Sequence, residues 1–173
     1  PSVKMPLPLQ GNFGNCWLLV ALAGLQLKNP RGLLDMVDLH ENFAIVKFPN
    51  RPPLQVNYML PKTLVVMRSA ADLYYALLCK VICIFMHKEG GAWGIYKHWQ
   101  GLYDPMQGGF VQKALQLLCP NHPTLTFCET FRINSWHSLL LLQDLGLNII
   151  CYDPHCGQIL IPREKCKIFT YYS

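Results

Sequence analysis

The sequence predicts an α+β fold in which a helical lobe precedes an antiparallel β lobe. Three observations carry that reading. Two apolar stretches of helix length, 16–27 and 70–86, hold good helix formers in their interiors. Short β-branched and aromatic runs punctuated by proline lie between them, over 42–67. The last fifty or so residues alternate apolar runs of strand length with turn residues. With 173 residues the chain is expected to form one domain, 1–173, with a mainly helical lobe over about 10–120 and a β lobe over about 121–173.

Residues 1–9 contain three prolines and read as an extended lead-in. The first helix is expected over 16–27, stopping before Asn29-Pro30, with Leu18, Leu22 and Leu25 at helical spacing. A second short helix is expected over 31–39. Residues 43–48, 54–58 and 63–67 read as strands, separated by Pro49, Pro52-Pro53 and Pro61. Ser69 is placed to cap a helix running from Ala70 to about Met86, whose apolar face includes Leu73, Ala76, Leu77 and Val81. Residues 88–94 form a glycine-rich loop. Gly108-Gly109 then opens a helix over 110–118, ended by Pro120 and Pro123. Residues 124–133 read as a strand. The tail offers two more, 158–161 and 167–172.

Composition narrows the function. Apolar residues make up 51% and charged residues 14%, which describes a packed globular chain and excludes a disordered one. Fifteen basic against ten acidic residues leave a net charge of +5, but the basic residues are scattered, so no nucleic-acid stripe is expected. No uninterrupted apolar run reaches membrane-spanning length, and Lys80 breaks the longest candidate, so no membrane contact is expected of this domain. No cleavable signal pattern opens the chain, and its eight cysteines are therefore expected to be reduced and cytosolic. Their spacings contain no pair of CxxC knuckles, so no structural zinc is expected. The chain opens on Pro1 rather than Met, which is expected of a piece cut from a longer one.

The chemistry concentrates at 10–25, Gln-Gly-Asn-Phe-Gly-Asn-Cys-Trp-Leu-Leu-Val-Ala-Leu-Ala-Gly-Leu. A polar, glycine-punctuated loop runs into Cys16-Trp17 and then into the apolar helix. That order puts Cys16 in the first helical turn, where backbone amides and the macrodipole favour an anion and activate a thiol as nucleophile. Gln10, six residues upstream, carries a primary amide suited to hold a developing oxyanion beside the Cys16 backbone amide.

A cysteine nucleophile needs a base, normally His, oriented by a third polar group. His40, His87, His98 and His122 lie in polar or helix-flanking contexts with nothing after them to orient a ring. His137 precedes the apolar run 138–142. Gln143-Asp144-Leu145-Gly146 can turn the chain, and 147–153 reads as a returning strand that brings Asp153 alongside His137. A second reading stays open. Ser135 as N-cap and Gly146 as a C-terminal glycine make 136–145 a helix, and His155 then becomes the candidate base.

These residues resemble those of papain-like cysteine proteases. The spacing from Gln10 to Cys16 and the Cys-Trp-Leu-Leu run are similar to the calpain nucleophile segment, and Asn-Cys-Trp-Leu also resembles the aphthovirus leader proteases. The order of strand, Ser69-Ala70 and long helix resembles the calpain core more loosely. From Trp136 to the end, a His-bearing strand followed by an apolar strand ending in Cys151-Tyr152-Asp153 resembles the C-terminal palm of coronavirus papain-like proteases. Met106-Gln107-Gly108-Gly109-Phe110 takes the place of a helix start that contacts ubiquitin in those enzymes. Two departures stand out. Trp136 replaces the small residue usual before the histidine, and no room exists for a zinc-bearing finger between Cys119 and Cys128.

The resemblance implies a papain-like fold, with a helical lobe carrying the nucleophile helix and an antiparallel β lobe carrying the base. It implies Cys16, His137 and Asp153 as the catalytic set, Gln10 as oxyanion donor, and no metal or cofactor. Trp17, Trp136, Gly108, Gly109 and Phe110 would border the substrate cleft. The implied source is a positive-strand RNA virus polyprotein, nidovirus and torovirus-like, acting in the host cytoplasm. Its implied partners are that polyprotein and ubiquitin or a ubiquitin-like modifier, whose removal blunts innate signalling. Two alternatives stand beside this: a calpain-like cellular protease core, and an inactive pseudoprotease that binds ubiquitin or another partner. Against the calpain core, the chain lacks the Gly-His-Ala type motif and acidic calcium loops.

Overall fold

The computed structural model describes residues 5–61, 64–89, 106–109 and 111–121, and the backbone of strand residues 151–152, 159–163 and 168–172. The chain is α+β. Its elements in order are α1 (Cys16–Lys28), α2 (Pro30–Leu34), β1 (Val37–Leu39), β2 (Ala44–Val46), β3 (Leu54–Val56), α3 (Asp72–Lys88), α4 (Val111–Leu118), β4 (Cys151–Tyr152), β5 (Ile159–Arg163) and β6 (Ile168–Tyr172). They fall into two compact units, 1–122 and 123–173.

The first unit is built around α1. Every residue from Cys16 to Ala23 is buried, and Trp17, Leu18, Ala21 and Leu22 are fully so. A helix apolar on all sides must be covered on all sides, and α1 touches α2, α3 and α4. It ends where Lys28 meets Asn29, whose side chain accepts from Gly32 N at 2.9 Å and starts α2 with Pro30 in its first turn. The helix expected over 31–39 is therefore only half right. Asp35 and Met36 turn the chain, and Val37, Asp38 and Leu39 pair antiparallel with Val46, Ile45 and Ala44. The β-branched Val37 and the hairpin partner decide the matter, and neither is visible in a helical-propensity reading of 31–39.

β1, β2 and β3 form an antiparallel meander in that order. Val37, Ala44, Val46 and Val56 are its buried residues, and the sheet touches α3. The third expected strand, 63–67, does not join it. Val65 instead makes a single antiparallel bridge to Gln10, with Val66 N donating to Leu9 O at 2.9 Å.

α3 begins at Asp72 rather than Ala70. Ser69 does not cap it in the expected way, for the fully buried Asp72 carboxylate reaches back instead. It accepts from Arg68 N and Ser69 N at 2.9 Å each, from the Ser69 hydroxyl at 3.2 Å, and from the Arg68 guanidinium at 2.9 Å. Lys80, 7% exposed, is the one buried cation among the described residues. Its three N–H groups go to Asn57 O, Asn57 Oδ1 and Met59 O at 2.9, 2.6 and 2.9 Å, so the 57–59 loop is fixed to α3. Burial lowers the Lys80 pKa, which makes the three acceptors necessary if the ammonium is to stay charged. Leu73, expected on the apolar face, is half-buried, while Tyr75 to Cys83 are buried without a break.

In the second unit β4, β5 and β6 form an antiparallel sheet in that order. Both expected tail strands are present, shifted by a residue or two. Pro162 pairs with Phe169 of β6. The expected strand over 124–133, the 90–94 part of the glycine loop and the 138–142 run lie outside the described residues.

Asp72 yields a pH prediction. Burial raises its pKa, but hydrogen bonds from Arg68 and Ser69 and the Arg68 charge outweigh that and hold it below the ordinary 3.8. A carboxylate lowered on folding contributes stability that is present above its unfolded value and lost as pH falls through its folded one. Asp72→Asn is expected to cost about 1–3 kcal/mol at pH 7. Urea unfolding over a pH series should show that difference constant at neutral pH and shrinking below 3.8.

Candidate active site

Cys16 is the first residue of α1 and 8% exposed. Asn15 precedes it as N-cap but does not cap with its side chain. Its backbone carbonyl accepts from Leu18 N and Leu19 N at 3.0 Å each. Its fully buried side chain turns away and donates from Nδ2 to Leu64 O at 3.0 Å. Asn15 thus couples the start of α1 to the 64–66 segment.

The loop before Cys16 is held at Gln10, Phe13, Gly14 and Asn15. Upstream, Gln26 Nε2 donates to Met5 O at 2.7 Å and the Tyr75 hydroxyl to Pro6 O at 2.8 Å, so α1 and α3 pin the extended lead-in. Gln10 makes the bridge to Val65 with its backbone. Its side-chain Nε2 donates to Phe13 O at 2.6 Å, closing a local turn. Gly14 N donates to Gln107 Oε1 at 2.8 Å, and Gly14 O accepts from Gly108 N at 2.9 Å. One step on, the Trp17 indole donates to Met106 O at 3.0 Å.

Segment 106–109 is therefore bound to the loop before Cys16 by two hydrogen bonds and to α1 by a third. Met106 is fully buried. Gly108 has φ 75°, a left-handed conformation that glycine adopts at least cost. Gly109 lies flat against the Trp17 ring, where a Cβ would come within 2.6 Å of Cδ2 and closer still to Cε2.

The expected site residues separate on this geometry. Gln10 and Cys16 stand at the two ends of one tethered loop, and Gly108 and Gly109 are brought to it. Trp17 is fully buried, so it presents no ring surface to a substrate, contrary to the expectation that it borders the cleft. Its size and its indole N–H serve instead to hold 106–109 in place. Gly109, also buried, packs in the same contact. Phe110, Trp136, His137, Asp153 and His155 lie outside the described residues. Asp153 follows directly on β4 in the sequence.

Other described thiols are in different surroundings. Burial pushes the Cys79 thiol far up, the neighbouring Cys83 adds to this, and hydrogen bonding from Asn15 opposes it. Burial also pushes the Cys119 thiol up. A thiol held protonated is a poor nucleophile. Among the described residues no group of three His, Cys, Asp or Glu side chains could hold a metal ion, and no helix is long and apolar enough to cross a membrane.

Gln107 escaped the sequence reading. Its bond to Gly14 spans 93 positions, and no local pattern marks it. The only signal was its place in the Met106-Gln107-Gly108-Gly109 run. No family model matches the chain, and neither a curated protein nor a solved structure matches it.

The Gly109 contact sets a prediction. Gly109→Ala is expected to lower the unfolding free energy by about 1–3 kcal/mol, because the buried indole cannot retreat. Urea denaturation followed by circular dichroism measures it. An unchanged midpoint would mean the 106–109 segment is not held against Trp17.

Proposed function

We propose that the chain is a papain-like cysteine protease that cleaves a viral polyprotein and removes ubiquitin or a ubiquitin-like modifier from host proteins. One observation carries the reading. Cys16 is the first residue of a helix buried from Cys16 to Ala23, at the end of a loop that also holds the Gln10 amide and is tied to its surroundings on both sides. That arrangement puts a thiol at a helix N-terminus and a side-chain amide donor on one tethered segment, which supports the reading. The source and both substrate classes rest on the sequence resemblance.

In this reading His137, oriented by Asp153, takes the Cys16 proton. The thiolate attacks a peptide or isopeptide carbonyl carbon, and the carbonyl electron pair moves onto oxygen. The Cys16 amide and the second N–H of Gln10 hold that oxyanion. Collapse of the intermediate expels the amine, which takes its proton from His137. Water, activated by the same histidine, then releases the acyl group and restores the thiol.

Ubiquitin carrying a C-terminal electrophile, read by intact mass, tests the proposal. One adduct is expected on the wild type, none on Cys16→Ala, and labelling slowed at least about 10²-fold on His137→Ala. Loss of labelling with His155→Ala instead would reassign the base. Absence of any adduct, with Cys16 no more reactive than a free thiol toward a small reagent, would contradict the protease reading and favour a binding role for the same fold.

A further inference from the structure

We infer that Gln107 is a positioning residue that fixes the Gln10 amide for oxyanion binding, acting through the Phe13–Gly14 peptide group. The inference rests on the protease reading above and names a residue that the reading does not contain.

The peptide group between Phe13 and Gly14 is gripped at both ends by glutamine side chains. Its carbonyl oxygen accepts from Gln10 Nε2 at 2.6 Å, and its N–H donates to Gln107 Oε1 at 2.8 Å. Donor and acceptor roles fix both amides. Only the NH2 end of Gln10 can serve a carbonyl, and only the oxygen end of Gln107 can serve an N–H. A primary amide has two N–H groups. With one of them committed to Phe13 O, the rotation of the Gln10 amide is restricted and its other N–H is left to donate elsewhere.

That restriction depends on the peptide not rotating. A peptide flanked by Gly14 is free to flip unless both ends are bound, since glycine accepts either orientation. Gln107 holds the N–H end. The fit is close: a Cβ on Gly14 would come within 2.7 Å of Gln107 Oε1, so position 14 has no room for a side chain while the bond is made. Gln107 is itself held, because Gly108 N donates to Gly14 O and Met106 O accepts from the Trp17 indole. Removing the Gln107 acceptor leaves the Gly14 N–H without its partner and frees the peptide to turn Phe13 O away from Gln10.

A pair of reactions separates positioning from general damage. The first is acylation of Cys16 by p-nitrophenyl acetate. The C–S bond forms, the carbonyl pair moves to oxygen, and collapse expels p-nitrophenolate, which is read by absorbance with Cys16→Ala as blank. The second is alkylation of Cys16 by iodoacetamide, read by peptide mass. Displacement of iodide at a saturated carbon builds no oxyanion. Gln107→Leu is expected to slow Cys16-dependent acylation about tenfold, less than the ~10²-fold of losing an oxyanion donor outright, and to leave alkylation unchanged. Gln107→Glu keeps an acceptor for Gly14 N and is expected to restore acylation to within about twofold. The double variant Gln10→Ala/Gln107→Leu is expected to be no slower than Gln10→Ala alone, because both act through one amide. Normal acylation in Gln107→Leu overturns the inference alone. So does a parallel fall in acylation and alkylation that Gln107→Glu does not reverse, or a double variant in which the two losses add. A wild type no faster than Cys16→Ala overturns the protease reading and the inference with it.

Discussion

Burial of α1 on every side is the constraint from which the rest of the first unit follows. A helix with a solvent face can slide or roll with modest penalty. A helix whose residues 16–23 are all buried cannot move without opening voids against its neighbours. The position of Cys16 is therefore set by core packing. α2, α3 and α4 pack against α1. The lead-in is pinned by Gln26 and Tyr75, side chains of the buried helices themselves.

Under the proposed function, the loop from Gln10 to Asn15 is where that rigidity serves the reaction. Loops commonly exchange hydrogen bonds with water, but this one spends its groups on protein. Gln10 bonds within the loop, Asn15 reaches Leu64, and Gly14 is held by the 106–109 segment through both its N–H and its carbonyl. Electrostatic stabilisation of an oxyanion depends on donors that need not reorganise as charge develops. A loop tied on two sides to packed elements meets that requirement, and a free glycine-rich loop would not. The buried Lys80 and Asp72 do comparable work elsewhere in the unit. Each sits with its hydrogen-bonding groups satisfied by backbone and nearby side chains, and each joins α3 to the loop beside it.

Much of the first unit was legible because its signals are local. α1 reads directly from an apolar run bounded by a polar loop and Asn29-Pro30, and its start at Cys16 is as expected. The β1–β3 meander was legible at β2 and β3, where proline marks the strand ends. β1 was read as helix because Leu33, Leu34 and Met36 suit either structure, and the pairing with β2 that decides it is tertiary. Ser69 is expected to cap α3, yet no side chain caps it; the fully buried Asp72 carboxylate instead binds back to Arg68 and Ser69 ahead of the helix. The places of Cys16 at the start of α1 and of Gln10 in the loop before it were legible from spacing. Gln107 was not, since 93 intervening residues separate it from Gly14 and only the fold brings the two together. Trp17 was legible as a large side chain beside the nucleophile, but its burial under Gly109 depends on the same distant contact.

The central claim is that Cys16 differs in kind from the other thiols of this chain. Residue-resolved alkylation kinetics address that directly: brief exposure to dilute iodoacetamide at neutral pH, digestion, and rate constants for each cysteine by mass spectrometry. Cys79 is fully buried and its thiol is held protonated, and the half-buried Cys119 thiol is pushed up by burial, so both serve as internal standards. The account predicts that Cys16, although only 8% exposed, reacts faster than Cys119 and far faster than Cys79. A Cys16 rate at or below that of Cys119 would contradict it, and would leave the tethered loop and buried helix as architecture without a nucleophile.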